Sequence, residues 1–217
     1  MTRRDARGWA FPAFALVLLA ACGPGLRPLP PATVPSPVSR PANTVVLPNR
    51  PASPGVLSAG VSEVDLDALW TRQLMVPVSG VEPAQLRDDY EARRGTRAHL
   101  ALDMPAPKGT AVVAADDGRI GRLGTTPAGG NIIYALDSDD RFVYYYAHLD
   151  RHARGLSVGD RVRKGDLLGY VGTTGNAPSN TPHLHFQVMR KAAGSAWWDG
   201  PPINPWAFFV YSGAPNR

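Results

Sequence analysis

Pro182-His183-Leu184-His185-Phe186 alternates an imidazole with an apolar side chain. Side chains on a β-strand project to opposite faces in turn, so His183 and His185 share one face while Leu184 and Phe186 enter the other. Such a strand backs its histidines with a hydrophobic core. It can present one nitrogen to a metal and another to a substrate without bending.

The same texture extends outward on the N-terminal side. Short runs rich in Val, Ile, Tyr and Phe predict strands over residues 110–114, 119–123, 131–136, 142–147, 167–171 and 184–189. Turn sequences such as Asp117-Gly118 and Asp137-Ser138-Asp139-Asp140 separate them, and the spacing predicts antiparallel pairing. Ser62 is an N-cap candidate for a short helix to about residue 71, and Pro83 starts a second through Ala84, Leu86 and Tyr90. The composition is 44% hydrophobic with 22 Gly and 22 Pro, which favours short strands and many turns. The expectation is a mainly β domain over residues 59–217, an antiparallel β-sandwich or two-layer sheet with short peripheral helices. Trp197, Trp198, Trp206, Phe208 and Phe209 are expected to pack over its core, and Tyr144 to Tyr146 to alternate between core and groove.

The chain has five histidines, and four fall into three patterns. His99-Leu100-Ala101-Leu102-Asp103 sets an imidazole four residues before a carboxylate, Tyr146-Ala147-His148-Leu149 closes one predicted strand, and His183-Leu184-His185 begins another. Zinc takes nitrogen and carboxylate ligands, and catalytic sites hold it with three protein groups, so two His and one Asp make a suitable set. His152 stands outside these patterns and reads as a surface residue.

The order His-x-x-x-Asp, Tyr-x-His-Leu, His-Leu-His-Phe resembles the lysostaphin-type (LytM-domain) zinc metallopeptidases, which are peptidoglycan endopeptidases. The likeness continues through Ala106-Pro107-Lys108-Gly109-Thr110, Gly129-Gly130-Asn131 and Gly172-Thr173-Thr174-Gly175. It implies a central groove with one zinc ion (Zn2+) held by His99, Asp103 and His185. It further implies that His148 and His183 are unliganded catalytic histidines, and that peptidoglycan peptide stems are the substrate. Many members carry Gly where this chain has Ala101. Some domains of this type lack ligands and act by activating a separate cell-wall amidase, so an amidase or regulator partner is the alternative.

The N-terminus adds a location. Three arginines precede an apolar stretch ending in Leu19-Ala20-Ala21-Cys22, which resembles a bacterial lipobox and implies a lipoprotein signal peptide over residues 1–21. Cys22 is the only cysteine and would carry the lipid. Gly23 rather than Asp follows it, which points to the outer membrane, facing the periplasm. From Gly23 to Gly55 ten of 33 residues are Pro, so residues 22–58 read as a lipidated Cys and an extended linker that cannot bury a core. The net charge of +5 comes without a Lys/Arg run interleaved with aromatics, which argues against nucleic acid.

Overall fold

The computed structural model describes residues 59–194 and 196–211. The expected signal peptide, Cys22 and the linker lie outside the described residues, as does the tail from 212. The elements run α1 (Glu63–Thr71), a 3-10 turn at Pro83–Gln85, β1 (Arg93–Arg94), β2 (Arg97–Ala98), β3 (Leu102–Pro105), β4 (Ala111–Val113), β5 (Gly118–Thr126), β6 (Gly130–Asp137), β7 (Phe142–His152), β8 (Arg161–Val162), β9 (Leu167–Val171), β10 (His183–Arg190), β11 (Pro202–Ile203) and α2 (Trp206–Val210). The mainly β, antiparallel expectation is borne out.

β1 and β2 form a hairpin of their own, and the other nine strands make one branched sheet. Its spine is β11-β10-β7-β6-β5-β8; β3 shares an edge of β10 with β11, and β9, carrying β4, joins the far half of β7. β7 alternates as its sequence predicts. Phe142, Tyr144 and Tyr146 are buried in one core with Leu184, Phe186, Val112, Leu168 and Val171. Tyr146 packs edge-on against Phe186 at 5.2 Å. The buried phenols find partners: Tyr144 donates to Asp116 Oδ2 at 2.8 Å, and Tyr146 accepts from the Ala115 amide at 3.0 Å. Burial of each such ring contributes on the order of 2–3 kcal/mol. On the opposite face Tyr145 stacks on Tyr134 at 4.5 Å, while Trp197 covers Leu136, Val143 and Met189. Phe208 and Phe209 join the main core with Trp206 against it, so these C-terminal aromatics pack as expected.

The second helix is shorter than predicted. After one turn, Leu86 is extended (φ −72°, ψ 138°). The Glu82 amide donates to Gln85 Oε1 at 2.7 Å, which closes the turn, and the Trp206 indole N–H caps the Leu86 carbonyl at 3.3 Å. Leu86 and Tyr90 then pack inward from non-helical backbone.

α1 begins at Ser62, as predicted, through a reciprocal cap. Ser62 Oγ accepts from the Asp65 amide at 3.2 Å, and Asp65 Oδ2 accepts from the Ser62 amide at 2.9 Å. The other carboxylate oxygen of Asp65 receives Arg141 Nε at 2.9 Å and Arg190 Nε at 2.7 Å, tying the helix to one end of β7 and β10. Burial opposes the charge of Asp65, but the Ser62 and arginine hydrogen bonds outweigh it and hold its pKa well below the usual carboxylate range. A group depressed in the folded state contributes stability above its unfolded pKa, near 3.9, and loses it as the pH falls. Asp65→Asn is therefore expected to cost about 2–3 kcal/mol at pH 7 in urea unfolding. The gap to wild type should narrow below about pH 5. A gap that stays constant into acid would refute this linkage.

Candidate metal centre

β3 and β10 pair with Asp103 directly opposite His185, so the two side chains leave one face of the sheet as neighbours. His99 arrives from the preceding loop, where Leu100 takes a left-handed φ of 57° and its amide is held by the Tyr90 carbonyl at 2.7 Å. Ala101 is fully buried and does not need a left-handed φ, so its methyl is accommodated where a glycine is common. The outcome is a triangle of ligand atoms. His99 Nε2 lies 2.9 Å from Asp103 Oδ1 and 3.1 Å from His185 Nδ1, and His185 Nδ1 lies 3.0 Å from Asp103 Oδ1.

Backbone carbonyls decide what these rings can offer. His99 Nδ1 faces the Asp89 carbonyl at 3.1 Å, His148 Nδ1 the Thr174 carbonyl at 2.8 Å and His183 Nδ1 the Thr181 carbonyl at 2.7 Å. A carbonyl only accepts, so each Nδ1 is assigned the proton and each neutral ring turns an Nε2 lone pair the other way. For His99 that lone pair meets a carboxylate. Acceptors that converge at about 3 Å require a cation between them. Without a metal, a proton serves: burial lowers the His99 pKa, but hydrogen bonds to Asp103 and Asp89 outweigh it and raise it to about 9.

The donor set fits one metal ion. Three ligand atoms on one tetrahedral zinc at about 2.0 Å would stand about 3.3 Å apart, close to the edges seen here. His99, Asp103 and His185 also form the group of possible metal ligands found among the described residues.

His148 and His183 flank this triangle. Their ring centroids are 5.0 Å apart, the His148 ring lies 5.6 Å from that of His185, and His183 Nε2 is 3.7 Å from Asp103 Oδ1. Burial, and secondarily the neighbouring His185 and His183, push His148 down to about 4 despite the Thr174 carbonyl, so it is a free base at neutral pH. His148 itself has a left-handed φ of 61°. There β7 changes partners: its pairing with β6 shifts register between Asn131 and Ile133, and its pairing with β9 starts at Leu149. Asn131 Nδ2 spans the irregularity, donating to the carbonyls of Leu149 and Asp150 at 3.1 and 2.9 Å. Thr174 Oγ1 also donates to the Leu149 carbonyl, at 2.7 Å. A Cβ on Gly130 would lie 2.1 Å from Thr174 Oγ1, so only glycine lets the Gly-Gly-Asn turn seat against the loop that holds His148.

All five predicted residues, His99, Asp103, His148, His183 and His185, line one cleft of about 880 Å³. Arg94 lines it too, and sequence reasoning missed it. Its Nη2 donates to Asp103 Oδ2 at 2.7 Å, leaving Oδ1 for the triangle. His152 is less exposed than expected, with its Nε2–H donated to the Ile132 carbonyl at 3.0 Å.

Residues 97–205, half of the chain, match the model of peptidase family M23. The chain belongs to peptidase family M23. Among its M23 relatives, glycyl-glycine endopeptidase ALE-1 of Staphylococcus capitis is 40% identical over 95 residues, 43% of this chain and 25% of the relative. Peptidoglycan DD-endopeptidase ShyC of Vibrio cholerae is 34% identical over 93 residues, 43% of this chain and 20% of its own. L-Ala–D-Glu endopeptidase of Bacillus subtilis is 30% identical over 145 residues, 59% of this chain and 44% of its own. The match thus spans less than half the length of each relative. The solved catalytic domain of lysostaphin from Staphylococcus simulans aligns with 66% of this chain and 96% of its own, at 26% identity and a TM-score of 0.47.

Three residues before the M23 match begins, Arg94 orients a candidate ligand within it. Arg94→Ala is expected to weaken zinc binding about tenfold or more, the usual cost of losing a group that positions a ligand. Competition against a chelator of known affinity measures it; an unchanged affinity would remove Arg94 from the metal's support.

Proposed function

We propose that this M23 domain is a zinc metalloendopeptidase that hydrolyses peptide crosslinks of peptidoglycan. His99, Asp103 and His185 hold one zinc ion, and His148 and His183 handle protons at the scissile peptide. One observation carries the reading: backbone carbonyls fix the Nδ1 protons of three histidines, so their Nε2 lone pairs turn toward the Asp103 carboxylate side of the cleft. A binding module has no need of two further imidazoles, His148 and His183, beside a complete ligand set. When bound, zinc activates water for attack at neutral pH and polarises the scissile carbonyl. Of His148 and His183, one ring accepts a proton on Nε2 and delivers it to the leaving amine, while the other, once its Nε2 also carries a proton, donates it in a hydrogen bond to the developing oxyanion.

Metal analysis of the purified chain, paired with release of peptide fragments from isolated peptidoglycan, tests the reading. About one zinc per chain with fragment release is the expected result. Stoichiometric zinc without release would replace it with the amidase-activator role. We further assign Cys22 as a lipid attachment point, on the lipobox-like Leu19-Ala20-Ala21-Cys22, with the linker over residues 22–58 holding the domain away from the outer membrane. An unmodified mature N-terminus in the mass spectrum would overturn that assignment.

A further inference from the structure

The β1–β2 hairpin is Arg93-Arg94-Gly95-Thr96-Arg97-Ala98, three arginines within six residues, with Gly95 in the turn at φ 66°. Its register pairs Arg94 with Arg97 and Arg93 with Ala98. Directly opposed residues of an antiparallel pair project from the same face, and like charges so placed repel. The guanidinium of Arg94 reaches Asp103, so this face of the hairpin is the one turned to the metal cluster, and Arg97 rises from the same face.

The charges of the two arginines are met differently. Arg94 has Asp103 at 2.7 Å and Asp89 at 3.6 Å. Arg97 is exposed and makes no ion pair among the described residues. Asp88 and Asp89 are engaged elsewhere: Asp88 accepts from Asn204 Nδ2 at 3.1 and 3.2 Å, and Asp89 faces His99 and Arg94. The cleft walls beyond the cluster are uncharged, built from residues such as Pro105, Ala106, Pro107, Ala177 and Pro178. Arg97 is not itself a lining residue of the cleft but stands across the hairpin from Arg94, which is, and an exposed guanidinium so placed is satisfied by an incoming anion. The planar fork of Arg matches a carboxylate in two parallel hydrogen bonds.

We infer that Arg97 binds a free carboxylate of the peptide substrate where the substrate leaves the cleft past Arg94, so that the enzyme selects carboxylate-bearing crosslinks over amidated or uncharged ones. This rests on the peptidase reading above. The probes are a crosslinked muropeptide dimer with free carboxylates and the same dimer with those carboxylates amidated, each offered to the zinc-loaded full chain. The expected kcat/KM ratio of acid to amide is about ten, carried by KM, as for one exposed charge-assisted contact. In Arg97→Gln the ratio falls to near one, and in Arg97→Lys part of it returns. A wild-type ratio near one, or a ratio that survives Arg97→Gln, overturns the inference. Calorimetric titration of both dimers separates the two readings. An Arg97-dependent affinity difference without any cleavage upholds the carboxylate site and sinks the peptidase, whereas cleavage without any difference does the reverse.

Discussion

Asp103→Ala is expected to strip the chain of its zinc while leaving it folded. The carboxylate is one of three atoms in a triangle whose edges are 2.9, 3.0 and 3.1 Å, and two imidazoles alone neither complete the set nor balance the ion's charge. Zinc affinity should fall on the order of 1000-fold, a proportionate share of the 10–16 kcal/mol that a full protein ligand set supplies. Hydrolysis of isolated peptidoglycan should vanish with it. Zinc content after dialysis reads the first, and fragment release the second. The fold should survive, because the backbone pairing of β3 with β10 does not involve this side chain. Retention of one tightly held zinc in a folded Asp103→Ala chain would show that the triangle is not the ligand set.

His148→Ala should separate metal binding from turnover. Zinc should remain, since the ring lies outside the triangle, while kcat falls by about 100- to 10,000-fold, the range for losing a positioned proton-transfer group. The left-handed φ at His148 suits alanine somewhat less than histidine, so a small loss of stability is expected beside the loss of turnover. His183→Ala should behave alike. If the two rings work as one relay, the double variant should be little worse than either single one. Full turnover of His148→Ala on crosslinked peptides would exclude the ring from the chemistry.

Much of the fold and most of the site are legible in the amino-acid sequence. Alternation of two imidazoles with Leu184 and Phe186 places one face in a core and the other at a site, because period two admits no other arrangement. Alternation also sorts Tyr144 and Tyr146 from Tyr145. Less visible is β3, four residues ending in Pro105, too short for any periodicity to announce. Yet its register with β10 is what sets Asp103 against His185. Arg94 and Arg97 belong to a hairpin with two-residue strands, and nothing local distinguishes a guanidinium that reaches a ligand from one in water. The second helix falls short for a comparable reason. Pro83 and the apolar residues after it suit a helix, but tertiary demands on Leu86 and Tyr90 override that local preference.

The oxygens that aim His99, His148 and His183 belong to the main chain of Asp89, Thr174 and Thr181. Side-chain replacement leaves a peptide carbonyl where it was, so an alanine scan would pass Thr181 as inert although its oxygen fixes the tautomer of a neighbouring ring. Inheritance meets the same immunity. Loop side chains at the mouth of the cleft are free to be exchanged, and what the cleft admits can diverge, while the protons beneath stay at their stations.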